Sequence, residues 1–392
     1  MAKGIKVGVI GAGTMGRGIA QVAATAGNHA VLYDTWEATL KESQAYHRKV
    51  FERLVEKGKF DQQRAEEIQR HISYENDIKN LAGCDLVIEA IVEDLEIKKK
   101  VFQSVESLVS PECVLATNTS SLPVTALASA LEEPGRFVGL HFFNPAPVMK
   151  LVEIVPAIQT AKETVSRVKN LMNLWSKIPV VAKDTPGFIV NKVARPFYGE
   201  SLRIYEEGIA DFATIDWSVK ELGNFRMGPF ELMDLIGNDI NYTVTETVFQ
   251  AFYFDSRYRP SFTQQRLIQA GYLGKKTGRG YYDYSGSTNL TEPTKDFHLG
   301  GQILDRVLIM LINEAADTLH MNLATKEDIE IAMTKGVNYP KGLLQWADEI
   351  GIEACVNRMD NLYHQYHEDR YRCSPILRKM AANNQQFFSG NP

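Results

Sequence analysis

The sequence predicts an α/β domain built on a doubly wound sheet, followed by two repeated all-α domains. Three observations carry that reading. Short apolar runs alternate with helical stretches over the first 185 residues, the alternation stops at Pro186-Gly187, and the helical remainder repeats itself in one register. The strand candidates are 6–10, 29–34, 85–91, 113–117, 137–141, 151–155 and 179–182. Each is a short apolar run, as in strands covered on both faces, and the helical segments between them imply right-handed crossovers. The interval from 37 to 75 is too long for one crossover. Leu40, His47, Val50, Phe51 and Leu54 recur at helical spacing, and Ala65, Ile68 and Ile72 resume it after a Gly-Lys-Phe-Asp turn. A helical hairpin is therefore expected inside the α/β unit.

The repeat is read from matched residues. Glu200 pairs with Glu314, Ile215 with Ile329, Gly228 with Gly342, Asp234 with Asp348 and Gly237 with Gly351, all at an offset of 114 residues. One deletion later, Arg257-Tyr258-Arg259-Pro260-Ser261 matches Arg370-Tyr371-Arg372-Cys373-Ser374 at an offset of 113. The expected organisation is a nucleotide-binding domain over 1–185, one helical copy over 186–284, a polar linker over 285–300 and a second copy over 301–392.

Composition narrows the class. With 44% hydrophobic and 23% charged residues among 392, the chain reads as globular. Its longest aliphatic run, 307–312, is far short of the roughly 18 residues of a membrane span. A net charge of −5 argues against nucleic acid as a partner. Cys84, Cys113, Cys355 and Cys373 are scattered, which is neither a disulfide framework nor a zinc site. The start of the chain enters a strand-like run at once, so a reduced, cytoplasmic protein without a signal peptide is expected.

Gly11-Ala12-Gly13-Thr14-Met15-Gly16 follows the first strand and opens a helical run, and Asp34 ends the second strand. Gly11 would make the tight turn, Gly13 would admit a pyrophosphate, and Gly16 would let helix and strand pack closely. A carboxylate at Asp34 suits adenosine ribose hydroxyls and would repel a 2′-phosphate, which favours NAD over NADP. The α/β domain is thus of the Rossmann dinucleotide-binding type, with an inserted helical hairpin.

Four further segments stand out: Glu89 to Glu93, Asn118 to Ser121, His141 to Pro145, and Lys183 to Asn191. The first three fall at carboxyl ends of predicted strands, where doubly wound sheets place ligands. Each has an ordinary explanation too. Asn118 to Ser121 would cap a helix, and His141 beside Phe142 and Phe143 would be a core histidine. Glu153, however, lies in an apolar strand where a carboxylate is costly unless paired, and His141 on a neighbouring strand is its natural partner. A buried His–carboxylate pair near a nicotinamide is what oxidation of a secondary alcohol needs.

Together with Gly228-Pro229-Phe230-Glu231-Leu232-Met233-Asp234 and Gly274-Lys275-Lys276-Thr277-Gly278, these segments resemble the (S)-3-hydroxyacyl-CoA dehydrogenase family over about residues 5 to 284. The second helical copy resembles that of the longer bacterial members, including those of phenylacetate degradation, which usually carry an additional segment between the copies. The resemblance implies that His141 is general base, that Glu153 orients it, and that Ser120 and Asn191 hydrogen-bond the substrate oxygen. For NAD it implies Gly11, Ala12, Gly13, Thr14, Met15, Gly16, Asp34, Glu93, Lys98, Ser120, Asn144 and Lys276. For the acyl-CoA substrate it implies Ser120, Lys57 and Asn191. Six basic residues against four acidic ones over 37–59 suit coenzyme A phosphates, although an ordinary solvated helix face explains any single lysine there. No metal is implied, and no additional arginine in these motifs announces a substrate carboxylate. The alternatives are a dehydrogenase of a free 3-hydroxy acid or sugar acid, or a catalytically idle relative resembling a crystallin. In copy two, Asp305 stands opposite Asn191, and the Lys-Asp-Thr-Pro-Gly-Phe segment has no counterpart. Copy two is therefore expected to be structural, forming an internal pseudo-dimer with copy one, in a chain that is itself a monomer or a homodimer.

Overall fold

The computed structural model describes residues 4–286 and 291–388, so part of the expected linker (287–290) and the end of the expected second copy (389–392) lie outside the described residues. The chain divides into two compact units, one ending at Thr185 and one beginning at Pro186.

The first unit holds β1 (Lys6–Ile10), β2 (His29–Tyr33), β3 (Ile72–Glu75), β4 (Leu86–Glu89), β5 (Val114–Thr117), β6 (Phe137–Phe142), β7 (Leu151–Pro156) and β8 (Ile178–Val181). They form one sheet in the order β3-β2-β1-β4-β5-β6-β7-β8. Its helices are α1 (Thr14–Thr25), α2 (Glu37–Glu56), α3 (Gln62–Arg70), α4 (Leu95–Glu106), α5 (Val124–Ala128) and α6 (Lys162–Leu174). Strand residues such as Val7, Val9, Leu32, Ile88, Ala116, Leu140 and Ile154 make the core with Ile19, Ala23, Phe51 and Ile68 of the helices.

Two expectations are corrected here. Ile72, read as helical, begins the edge strand β3, because His71 ends α3 and its carbonyl already pairs with Ala30. The sheet is also not wholly parallel. β7 runs antiparallel to β6, since only residues 143–150 join them, and a crossover to a parallel neighbour takes a dozen or more. That reversal sets His141 directly opposite Glu153 in the register.

The inserted hairpin is tied to the nucleotide turn from beneath. Ser43 of α2 donates to the Ala12 carbonyl at 2.5 Å, and buried His47 bridges the Arg17 carbonyl (2.8 Å) and the Tyr74 hydroxyl (2.7 Å).

The second unit is helical: α7 (Val190–Val193), α8 (Arg195–Glu206), α9 (Phe212–Trp217), α10 (Pro229–Ile236), α11 (Asn238–Ala251), α12 (Phe262–Gln269), α13 (Phe297–His320), α14 (Lys326–Gly336), α15 (Leu343–Ile350), α16 (Ile352–Tyr366) and α17 (Pro375–Ala382). Among the described residues no helix is long and apolar enough to cross a membrane. Residues matched at the repeat offset do the same physical task. Asp216 accepts from the Phe230 and Glu231 amides at 2.9 Å each, and Glu330 accepts from Leu344 and Gln345 at 2.9 and 3.1 Å. Those carboxylates occupy the space a Cβ would need at Gly228 and Gly342, which is why both helices begin with glycine. Asp234 holds the Tyr281 and Tyr282 amides as Asp348 holds those of Phe387 and Phe388.

The two halves also exchange charges reciprocally. Glu200 accepts from Arg306 Nε at 2.7 Å and from the Tyr371 hydroxyl at 2.5 Å. Glu314 accepts from Lys192 and from the Tyr258 hydroxyl. Lys192 and Arg306 are 114 residues apart, and Tyr258 and Tyr371 are 113 apart. Each half therefore supplies a buried carboxylate to the other's cation and phenol, the self-complementary pattern of a two-fold interface.

Candidate active site

The Gly11 turn fits a dinucleotide. Gly11 has φ +97, and a Cβ on Gly16 would overlap the Gly11 carbonyl oxygen, so neither tolerates a side chain. A Cβ on Gly13 would meet nothing within 4 Å, which leaves the turn open to a pyrophosphate. No side chain caps α1, whose first turn also lacks an acidic residue, so its amides are left for an anion. Asp34, one residue past β2, accepts from the Ala12 amide at 2.8 Å and the Trp36 amide at 2.9 Å. The carboxylate thereby joins the glycine turn to the end of the second strand, where a ribose would lie.

Beyond β4 and β5 an ion-pair network organises the Asn118 to Ser121 segment. Glu93 accepts from Thr119 Oγ1 (2.5 Å), the Ser120 amide (3.0 Å) and both the amide and hydroxyl of Ser121 (3.2 and 3.0 Å). Burial pushes the Glu93 carboxyl up, but the Lys98 ammonium and these hydrogen bonds outweigh it and hold the group below the usual carboxylate range. Lys98 is itself buried, 2.6 Å from Glu89 and 3.1 Å from Glu93, and Glu89 also accepts from Thr117 Oγ1 at 2.7 Å. Glu93 and Lys98 thus shape the loop that presents half-buried Ser120. Asn118, whose side chain accepts from the Phe142 amide at 2.8 Å, locks that loop to the end of β6.

On β6 and β7, His141 Nδ1–H donates to Glu153 Oε2 at 2.6 Å, and Glu153 is fully buried. A carboxylate can only accept here, so Nδ1 is the donor of this hydrogen bond. Asn144 is exposed on the loop that follows. Lys177 fastens this loop, donating to the Ala146 and Met149 carbonyls at 2.5 and 2.8 Å, and burial pushes its ammonium down to about 8. The same loop, α1 and α2 wall a cavity of about 450 Å³ lined by Tyr46, Val50, Leu54, Phe60, Trp175 and Lys177. Gln21 Oε1 and Trp175 Nε1, both buried beside it, have no partner among the described residues.

The remaining expected site residues fall on other elements. Lys57 is exposed at the C-terminal end of α2. In the helical unit Asn191 is half-buried on α7, and Lys276 pairs with Asp239 at 2.6 Å. Asp184, part of the fourth motif, caps α5 by accepting from the Val124 and Thr125 amides at 2.9 and 2.7 Å. Sequence reasoning missed Ser43 and Lys177, which show no motif of their own. It also missed Arg195, one turn after Asn191, which is buried yet bonded to neutral groups alone.

Comparison with known proteins decides the family. Residues 6–185 match the model of the 3-hydroxyacyl-CoA dehydrogenase NAD-binding domain, and residues 187–284 and 301–386 match that of its C-terminal domain. The chain belongs to the 3-hydroxyacyl-CoA dehydrogenase family. It is an NAD-dependent dehydrogenase acting on a CH–OH group. Its similarity to 3-hydroxyadipyl-CoA dehydrogenase of Escherichia coli K12 is 36% identity, covering 96% of this chain and 97% of that one. A probable 3-hydroxybutyryl-CoA dehydrogenase of Deinococcus radiodurans is 41% identical over 71% of this chain and all of its own. Among solved structures, 3-hydroxybutyryl-CoA dehydrogenase from Escherichia coli K12 superposes with a TM-score of 0.92 at 36% identity, covering 97% of this chain and 98% of the other. The hydroxyacyl-CoA dehydrogenase fold, a Rossmann-like sheet unit followed by an all-α unit, is the one expected from the sequence.

Proposed function

We propose that the chain catalyses reversible oxidation of a (S)-3-hydroxyacyl-CoA to the 3-ketoacyl-CoA, with His141 as the base that removes the hydroxyl proton. The observation that carries this reading is the 2.6 Å hydrogen bond from His141 to fully buried Glu153. With Nδ1 committed to the carboxylate, Nε2 takes the proton of the 3-hydroxyl, and the imidazolium so formed lies against a fixed negative charge. In reverse the same nitrogen returns the proton. Ser120, set by Glu93 and its loop, and Asn191 hydrogen-bond the substrate oxygen as it becomes a carbonyl. NAD, when bound, accepts the hydride that leaves C3.

Asp34 and the Gly11–Gly16 turn would hold the adenosine and pyrophosphate, with Glu93, Lys98, Asn144 and Lys276 completing the cofactor's surroundings. Lys57 is the candidate contact for a coenzyme A phosphate. The matched carboxylates Asp216 and Glu330, and the exchanged pairs around Glu200 and Glu314, support reading 186–284 and 301–392 as two copies of one domain joined as an internal pseudo-dimer.

Steady-state turnover tests the reading. Acetoacetyl-CoA should oxidise NADH, while free acetoacetate should not. Equal turnover of ester and free acid would instead mark a hydroxy-acid dehydrogenase, and turnover of neither would mark an idle relative.

A further inference from the structure

The loop over 143–150 joins β6 to β7, and Asn144, Pro145, Val148 and Lys150 on it are exposed. The sheet anchors its two ends. The Phe142 amide donates to Asn118 Oδ1 at 2.8 Å, and the Ile178 amide of β8 donates to the Lys150 carbonyl at 2.8 Å. Its middle closes on itself, with the Val148 and Met149 amides donating to the Pro145 carbonyl at 2.9 and 3.0 Å. Lys177 ties that turn to the body of the domain, its Nζ donating to the Ala146 and Met149 carbonyls at 2.5 and 2.8 Å.

An ammonium is an unfavourable choice at this place. Lys177 is 7% exposed, burial pushes it down to about 8, and among the described residues no carboxylate lies within ion-pair distance of it. The cavity it borders is lined by Val50, Leu54, Phe60 and Trp175, and the other charged side chain there is Lys150, of like sign. A buried charge without a counter-charge is destabilising, and packing alone would be served by a hydrocarbon of the same length. The backbone leading to it is strained as well. Ser176 takes φ +58, a left-handed conformation disfavoured for any residue with a Cβ, as the chain turns from the end of α6 into β8. Both features serve to bring one cation under one loop.

That loop begins beside the proposed base. Phe143 packs on the His141 ring with 4.5 Å between ring centres, and Asn144 follows it. The hydride leaves the same carbon whose hydroxyl His141 deprotonates, so its acceptor must lie near His141. A cofactor contact three residues further on therefore belongs to the nicotinamide end. We propose that Lys177 is a positioning residue for hydride transfer: by holding the Ala146 and Met149 carbonyls, it fixes Asn144 where it orients the nicotinamide. The proposal rests on the reading of His141 as base and Asn144 as a cofactor contact. The clamp acts through placement, and a displacement of about 1 Å at such a distance from the reacting atoms can slow a reaction about 10²-fold.

The test pairs NAD with ADP-ribose, which has the same adenosine, pyrophosphate and second ribose but no nicotinamide, as ligands of the full-length enzyme. Lys177→Met keeps an unbranched side chain and removes the charge and its donors. By isothermal titration it should weaken NAD about tenfold and leave ADP-ribose within about twofold of the parent. Its kcat for oxidation of NADH by acetoacetyl-CoA should fall about 10²-fold. A merely structural lysine would lower the melting temperature without separating the two ligands. NAD and ADP-ribose weakened alike, NAD binding unchanged, or kcat within about threefold of wild type overturns the proposal. Should Lys177→Met fail to fold, Lys177→Gln, whose amide reaches toward one carbonyl without a charge, decides it by the same pair of ligands. Asn144→Ala is measured beside them and should also weaken NAD alone. NAD binding unchanged in Asn144→Ala would bring down the reading of Asn144 itself, an outcome distinct from a Lys177 variant without effect.

Discussion

Glu153→Gln tests the dyad with the smallest change of shape. The amide keeps the volume of the carboxylate inside β7 and can still accept the Nδ1–H of His141, so imidazole orientation is preserved. What is lost is the negative charge beside an imidazolium formed in the transition state. Two unit charges about 4 Å apart interact by about 4 kcal/mol at an effective dielectric of about 20, and Glu153 is fully buried, so solvent cannot replace the lost charge. The variant should therefore lose about 10³-fold in kcat. Stopped-flow or steady-state oxidation of NADH by acetoacetyl-CoA reads kcat, and isothermal titration with NAD should show binding within about threefold of the parent. A folded Glu153→Gln enzyme with kcat within tenfold of wild type would refute the argument, because a charge so placed could not then be stabilising the reaction.

Other contacts carry their own expected outcomes. Asp34→Ala should weaken NAD binding and narrow the preference over NADP, measured as the ratio of kcat/KM for the two cofactors; comparable ratios in the unmodified enzyme would contradict the assigned role. Burial would raise the Asp255 carboxyl, but the side chain and backbone of Arg257, with Arg372, overcome burial and hold it at about 2, against 3.8 in the unfolded chain. Its stabilisation, about 2 kcal/mol, is thus fully present above pH 3.8 and lost as pH falls toward 2. Asp255→Asn should flatten that part of the acid-unfolding curve, followed by urea titration at pH 5 and pH 3. Truncation after Tyr284 strips Lys192 of Glu314 and leaves it without a counter-charge, and strips Glu200 of Arg306 and Tyr371 so that Arg203 alone faces it, on a newly exposed helical face. Light scattering should then show aggregation or a new dimer, and a soluble, fully active monomer would remove the structural role from residues 301–388.

Much of this arrangement was legible in the sequence because it depends on local pattern. Continuous apolar runs marked the strands beneath the nucleotide turn, and a lone Glu153 in such a run implied its histidine. The repeat offset singles out Glu200, Glu314, Asp234 and Asp348 from the sequence alone. The hidden features depend on three-dimensional proximity. The four-residue edge strand at Ile72 continues the spacing of α3, so periodicity alone could not separate them. The reversal of β7 is signalled by the chain itself, since residues 143–150 are too few for a crossover helix. Nothing in a linear chain shows that Lys98 is buried against Glu89, that Lys177 secures the Asn144 loop, or that Arg195 lacks an acid.

Transfer of isotope from carbon to cofactor tests the central claim most directly. With (S)-3-hydroxybutyryl-CoA deuterated at C3 and NAD, a single turnover should place one deuterium in the reduced cofactor, none exchanging with solvent, while His141→Ala slows the transfer by roughly 10²–10⁴. Reduced cofactor free of deuterium, or transfer at the wild-type rate without His141, would contradict the account.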